Sequence, residues 1–324
     1  MATAEQIKSL IRSHLSDDEE RFHTIALQLA AHEARQGHGA LAKEIRDIVE
    51  KAKRNRGGGN IIAFTPELGE LIFNHRIEVR LAQLVVADAL ANRINRIVRE
   101  YKQQEKLKKY GMSHRRKILL SGPPGTGKTM TAHVLATETH LPCNSIRVDK
   151  LMTKFMGETT AKLRQIFDLI AAEPGVYLFD EFDAIGGDRS LNNDVGEMRR
   201  VLNAFLQFLE QDDSGSLIIC ATNNTHLLDN ALFRRFDDVL HYTLPDEEDR
   251  RSLIDNVLGT FRGRLGWKTI LTESEGLSHA ELDCACRDAI KEAILSDKTK
   301  VTTPILKEMI FERQQSHNRL SNQK

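Results

Sequence analysis

Ser121-Gly122-Pro123-Pro124-Gly125-Thr126-Gly127-Lys128-Thr129 is the stretch from which the fold of this chain can be read. From Gly122 to Thr129 it holds the pattern G-x-x-x-x-G-K-[ST]. The apolar run Ile118-Leu119-Leu120 before it reads as a strand. Met130, Val134 and Leu135 after it fall at helical spacing. Glycine lets a loop wrap closely around a phosphate, so that backbone N–H groups point at it. A helix opening behind the loop adds its positive N-terminal end. In such a cradle Gly122, Pro123, Pro124, Gly125, Thr126 and Gly127 form the wall, and Met130 continues the first helical turn. Lys128 reaches the β- and γ-phosphates, and the Thr129 hydroxyl ligates Mg²⁺.

The chain has 324 residues, enough for two or more compact units. Hydrophobic residues make up 40% and charged residues 28%, the balance of a soluble globular protein. Lys+Arg and Asp+Glu are both 46, so the net charge is zero and argues against a dedicated nucleic-acid binder. Residues 1–15 carry no long apolar core, and no run approaches 18 apolar residues, so neither a signal peptide nor a membrane span is expected. The cysteines are Cys143, Cys220, Cys284 and Cys286. Cys284 and Cys286 lie two apart in a helical pattern and should point to different faces. Reduced thiols and a cytoplasmic location are the expectation.

Residues 4–54 read as three short amphipathic helices. Ser16 with Glu19 forms a capping box, and Gly37 and Gly39 break the second helix from the third. They suggest a small bundle, serving either as a self-contained packing module or as a docking domain for a substrate or adaptor. His32-Glu33 fails the zinc pattern H-E-x-x-H, because position 36 is Gln36. Lys51 to Asn60, with three consecutive glycines, reads as a basic linker. A long helix is expected over 80–110. Short apolar runs at 118–120, 145–148, 176–179, 217–221 and 239–242 then alternate with helical stretches. That alternation predicts an α/β fold with a parallel five-stranded sheet and helices on both faces. Beyond Pro245 only helices are expected, at 252–258, 280–295 and 304–313. The predicted organisation is an N-terminal helical domain (1–56), a linker (57–79), an α/β nucleotide-binding part (80–245) and a helical lid (246–324).

Val176-Tyr177-Leu178-Phe179-Asp180-Glu181 is an apolar strand ending in two acids. Such sheets bind ligands at the C-terminal ends of their strands. Asp180 would hold Mg²⁺ and Glu181 would orient the attacking water. From about Arg80 to Ala293 the chain resembles an AAA ATPase, most like the group that includes katanin and spastin. Phe179-Asp180-Glu181-Phe182-Asp183-Ala184-Ile185 resembles the second nucleotide motif of that family, and Ala221-Thr222-Asn223 its polar sensor, which implies that Asn223 lies near the γ-phosphate. Asn230-Ala231-Leu232-Phe233-Arg234-Arg235-Phe236-Asp237 resembles the arginine-finger segment, implying that Arg234 and Arg235 reach the ATP of a neighbouring subunit. Arg189, Glu197 and Arg200 resemble residues near the subunit junction. Lys154-Phe155-Met156-Gly157-Glu158 resembles the first pore loop, whose aromatic and thioether side chains would grip a peptide. The other reading of Phe155 and Met156 is as core residues at a strand–helix junction. Gly276-Leu277-Ser278-His279-Ala280-Glu281-Leu282 resembles the lid motif, with His279 and Ala280 against the nucleotide. His279 replaces the second glycine of that motif, which puts base selectivity in question.

The resemblance implies ATP and Mg²⁺ as cofactors and a homo-oligomer, a hexameric ring, with ATP between subunits. The implied activity is ATP-driven remodelling of protein substrates, chosen by the N-terminal helices. Two rival readings stand beside it. One is an ATP-gated switch for a separate effector such as a nuclease or peptidase. The other is a nucleic-acid motor, which the neutral charge disfavours.

Overall fold

In the computed structural model, the described residues are 71–75, 78–151, 156–186, 195–223 and 233–321, with isolated positions before them. The chain divides into two units, residues 1–63 and 64–324. In the first, the described positions 25–27, 29, 30, 43 and 46 are helical, with Ala26 and Ala30 buried. The rest of the three expected helices lies outside the described residues.

The second unit is built on one six-stranded sheet. Its strands are β1 (Ile72–His75), β2 (Lys117–Ser121), β3 (Cys143–Ile146), β4 (Val176–Phe179), β5 (Leu217–Thr222) and β6 (Asp238–His241). The spatial order is β1-β3-β4-β5-β2-β6. Strands β2 to β6 are parallel, as the five expected runs require, and β1 pairs antiparallel with β3. Every residue of β4 and β5 is buried, because helices cover both faces of a parallel sheet. β3 ends two residues earlier than expected, since Val148 opens a short helix. β1 falls in the stretch read as linker. Its IFNH sequence alternates poorly, and Phe73 is exposed under the Arg147 guanidinium, so periodicity gave no sign of it.

The helices of this unit run in order as α1 (Asp88–Lys102), α2 (Gln104–Lys108), α3 (Lys128–Thr139), α4 (Val148–Leu151), α5 (Met156–Ala172), α6 (Asp183–Gly186), α7 (Val195–Gln211), α8 (Glu247–Leu258), α9 (Trp267–Glu273), α10 (His279–Leu295) and α11 (Thr303–Ser321). The single helix expected over 80–110 is three pieces. A 3₁₀ turn, Leu81–Gln83, is followed by residues 84–87 outside any helix, then α1 and α2. Val85 and Val86 are β-branched, which lowers helix propensity there. α1 buries Leu90, Ile94, Ile97 and Val98, one stripe at helical spacing, against the sheet.

On the other face, Phe179 of β4 meets Phe205 of α7 edge-on at 5.0 Å between ring centres. Phe182 and Phe167 close on the same ring at 4.8 and 5.5 Å. Phe179, Phe182 and Phe205 are fully buried.

Helices α8 to α11 pack around their own core, including Ile254, Ile270, Leu282 and Leu306. Three acids occupy the first turn of α8, favoured by the helix dipole, and Asp246 caps it by accepting from the Asp249 N–H at 2.9 Å. As their spacing requires, Cys284 on α10 is exposed and Cys286 is buried. Among the described residues, no helix is long and apolar enough to cross a membrane.

Phe205 is the ring on which three others converge. Phe205→Ala should therefore destabilise the second unit by about 3–5 kcal/mol. Chemical denaturation followed by tryptophan fluorescence and circular dichroism measures this; a loss below about 1 kcal/mol would show that the cluster collapses to fill the gap.

Candidate nucleotide site

Three backbone positions in the phosphate loop need glycine. Gly122 has φ +148°, and a Cβ there would sit 2.3 Å from the Tyr242 carbonyl oxygen. Gly125 and Gly127 lie at φ +73° and +97°, a region that L side chains rarely adopt. The loop ends at Lys128, where α3 begins, so the unpaired first N–H groups of the helix open onto it. Thr126 closes the turn by donating its hydroxyl to Pro123 O at 2.8 Å. Lys128 is buried, and its ammonium donates to Gly122 O (2.8 Å) and Pro123 O (2.7 Å), leaving a third proton for a phosphate oxygen. Burial lowers the Lys128 pKa, opposed by the charges of Asp180 and Asp183.

Across the cleft, the Thr129 hydroxyl donates to Asp180 Oδ2 at 2.8 Å. The two expected Mg²⁺ ligands thus touch, one from α3 and one from the end of β4. Both are hard oxygens, the donor type Mg²⁺ takes, so these residues fit the ion. The other Asp180 oxygen accepts the Glu181 N–H at 2.9 Å. Glu181 itself sits at φ +51°. A non-glycine residue in that region costs on the order of 1–3 kcal/mol and marks functional sites when the surroundings enforce it. Here the enforcing bonds are Phe182 N to Ala221 O (2.9 Å) and Ala184 N to Glu181 O (2.9 Å). They hold an exposed carboxylate at the cleft wall. Asn223 follows β5 directly, and its N–H donates to Asp183 Oδ1 at 3.4 Å.

These groups line one cleft of about 860 Å³. Of the residues singled out in the sequence, Pro124, Gly125, Gly127, Lys128, Thr129 and Met130 line it from the loop. Asp180, Glu181, Asn223, His279 and Ala280 complete that set. Gly122, Pro123 and Thr126 shape the loop from behind. The lid is joined directly to the loop: the Ala280 N–H donates to Gly125 O at 3.0 Å. Ser278 and Glu281 form a reciprocal capping box that fixes this end of α10.

Other lining residues carried no motif. Residues 82–85 border the cleft, as do Leu253, Asn256 and Val257 of α8 and Asp283 and Arg287 of α10. The β-branched pair Val85-Val86, which disfavours helix, is the one feature of the sequence that could have marked the first group.

Arg234 and Arg235 lie outside the cleft. Arg234 is exposed, and Arg235 pairs with Glu210 at 2.7 Å. Asp237 ties their segment to the start of β2: its carboxylate accepts the N–H groups of Arg116 and Lys117, each at 2.9 Å, and its N–H donates to Lys117 O at 2.8 Å. β6 continues parallel to β2 with Ile118 opposite Asp238, so both arginines sit at the end of β2 remote from the phosphate loop. Five residues of strand separate the two ends by roughly 16 Å. Lys154 and Phe155 lie outside the described residues. Met156 and Gly157 open α5, without described side chains. Arg189 is also outside them, and Arg200 is exposed on α7.

Residues 118–244 match the family described as "ATPase family associated with various cellular activities (AAA)". The chain carries an AAA ATPase domain. It is 29% identical to an AAA family ATPase of Sinorhizobium fredii described as uncharacterized, over 93% of this chain and 92% of that protein. It is 34% identical to a proteasome-activating nucleotidase of Methanosphaerula palustris, over 62% of this chain and 51% of that one. For the proteasome-activating nucleotidase of Sulfurisphaera tokodaii the figures are 31%, 68% and 59%. The chain thus spans little more than half the length of these two nucleotidases. The AAA fold accounts for the five parallel strands, the loop after β2 and the acids after β4.

The loop–lid joint gives a test. A Cβ on Gly125 would meet Ser278 Oγ at 2.7 Å and Ala280 Cβ at 3.1 Å, at a positive φ. Gly125→Ala should weaken nucleotide binding roughly tenfold, from a left-handed penalty of about 1–2 kcal/mol, and lower the thermal midpoint by a few degrees. Calorimetric titration and thermal melts read both; wild-type affinity would mean that lid and loop part without cost.

Proposed function

We propose that this chain is an ATP-driven remodeller of proteins that works as a ring, with ATP bound between subunits. The observation that carries the reading is the cleft itself: phosphate loop, Thr129–Asp180 contact and strained Glu181 lie within one wall, closed by the lid. Lys128 and the N-terminus of α3 hold the β- and γ-phosphates. Thr129 and Asp180 would hold Mg²⁺, which when bound would neutralise charge on the phosphate oxygens. Glu181 orients a water and takes up its proton as the water attacks the γ-phosphorus. The bond to the β–γ bridging oxygen breaks, giving ADP and phosphate. Asn223 fixes the γ-phosphate and the water.

Arg234 and Arg235 cannot reach the cleft of their own subunit from the far end of β2, which supports their acting on a neighbour's ATP. A guanidinium there matches the charge of the transferring phosphoryl group. Hydrolysis would move the loop from Lys154 to Gly157 and pull on a polypeptide selected by the N-terminal helices. The likeness to the katanin and spastin group rests on the motifs alone. The names of the two nucleotidase relatives favour a second reading beside it, in which the ring serves a separate protease.

Lys128→Ala should abolish ATP binding, whereas Glu181→Gln should bind ATP and lose turnover. Affinity and steady-state hydrolysis separate the two; normal hydrolysis by the Glu181→Gln protein would remove the assignment. Mixing inactive Arg235→Ala subunits with inactive Lys128→Ala subunits should restore some activity, because some interfaces regain both an intact cradle and an intact finger. The finger contributes roughly 10³-fold or more to turnover, so recovery should be plain. Mixed rings without recovery would end the trans role.

Phe155→Ala should keep nucleotide binding and lose force on a protein substrate, and Phe155→Tyr should keep both, having the same flat face. The readout is unfolding of a substrate trapped with the Glu181→Gln protein, beside basal ATPase. Full remodelling by the alanine variant would favour the switch reading, in which nothing is threaded.

A further inference from the structure

β6 runs along the edge of the sheet beside β2, with Ser121 opposite His241. The next residue on β2's side is Gly122, where the phosphate loop begins, and on β6's side it is Tyr242. The Tyr242 N–H donates to Ser121 O at 2.7 Å, and the Tyr242 carbonyl oxygen occupies the place that a Cβ on Gly122 would need. The backbone of Tyr242 thus lies against the start of the loop. Its side chain reaches the other end. The Tyr242 hydroxyl lies 2.6 Å from Thr131 Oγ1, and Thr131 Oγ1 lies 3.1 Å from Gly127 O. Tyr242 and Thr131 are both buried.

The direction of these bonds follows from the protons available. A threonine hydroxyl has one proton, and a carbonyl oxygen only accepts. Thr131 spends its proton on Gly127 O, so the Tyr242 hydroxyl donates to Thr131. Burial raises the Tyr242 pKa, which keeps the phenol protonated for that role. Gly127 O also accepts the Thr131 N–H at 2.9 Å. Gly127 caps α3 at φ +97°, and a glycine has more backbone freedom to lose than any other residue. In a planar trans peptide the C=O and the N–H that follows point opposite ways. Drawing Gly127 O into α3 therefore turns the Lys128 N–H out of the helix, toward the loop.

We propose that Tyr242 is a positioning residue for phosphate binding: through Thr131 it fixes the peptide between Gly127 and Lys128, so that the loop is set before a nucleotide arrives. A site ordered in advance loses less freedom on binding and binds more tightly. Hydrogen bonds in series polarise one another, so Tyr242 strengthens the hold of Thr131 on Gly127 O. A phenylalanine at this position would fill the same space and make the same backbone contacts. What the tyrosine adds is the hydroxyl, and that hydroxyl is aimed at the hinge of the loop.

The inference rests on the reading of the loop as the phosphate site, and calorimetric titration of the intact chain with ATP and with ADP, each with Mg²⁺, separates the two. The titrations are run well below the thermal midpoint of every variant. Tyr242→Phe should weaken both nucleotides by about three- to tenfold, the effect of one hydrogen bond. Thr131→Val should weaken both at least as much. The double variant should be no weaker than Thr131→Val alone, because the two groups act in one chain. Thr131→Ser, which keeps a hydroxyl, should recover most of the loss seen in Thr131→Val. Wild-type affinity in Tyr242→Phe, with only a lower thermal midpoint, makes the hydroxyl a structural bond and overturns the proposal while the ATPase reading stands. Additive losses in the double variant also overturn it. Should Tyr242→Phe fail to fold, equal affinities in Thr131→Val and Thr131→Ser overturn it instead. Binding of neither nucleotide by the wild type removes both readings.

Discussion

The hydrogen bond from the Thr129 hydroxyl to Asp180 joins two strands that are not neighbours. β5 lies between β2 and β4 in the sheet. Parallel pairing sets Ser121 against Thr222 and Phe179 against Cys220, so all three strands end at one edge. Their next residues are the phosphate loop, Asn223 and the acid pair. The site therefore depends on strand direction before it depends on any side chain. Antiparallel pairing of one central strand would send its polar residues to the far edge, some five residues of strand away.

That far edge has its own chemistry. Arg116 is buried against Asp212, and Asp237 holds the start of β2 through two backbone N–H groups. Removing one member of a buried ion pair costs about 3–5 kcal/mol, because a charge stays behind without a partner. The pair sits where β2 begins, and the segment bearing Arg234 and Arg235 is tied to the same point. One polar cluster thus fixes both the strand that carries the phosphate loop and the segment that bears Arg234 and Arg235. The residues between the two ends of β2, Ile118 to Leu120, are fully buried.

The loop and the acid pair were legible because each is a local solution to a local problem. Gly122, Gly125 and Gly127 are required by backbone angles, and an apolar run ending in acids is required by a buried strand with a wet end. The five parallel strands followed from alternation of apolar runs with helical stretches. The edge strand β1 was not legible, since an edge strand is half solvated and Phe73 faces out. α9 escaped because its seven residues are too short for a helical period to declare itself. The end of the cleft remote from the phosphate loop was the least legible part. Asn256 and Asp283 stand more than a hundred residues from the phosphate loop, and nothing local to them records that a folded lid brings them back.

The joint between lid and loop explains why that end matters. Gly125 O is at once the bond partner of the lid, through the Ala280 N–H, and part of the loop that surrounds the phosphates. A loop that tightens on a phosphate must carry this carbonyl with it or give up the bond. The capping box makes the first turn of α10 stiff, and Leu282, Ala285 and Ala289 fix that helix in the core of the lid. A displacement at Gly125 therefore moves α8, α10 and α11 together rather than bending one of them. A phosphate seated in the loop would in this way bear on the orientation of a whole helical layer, over a path of one hydrogen bond.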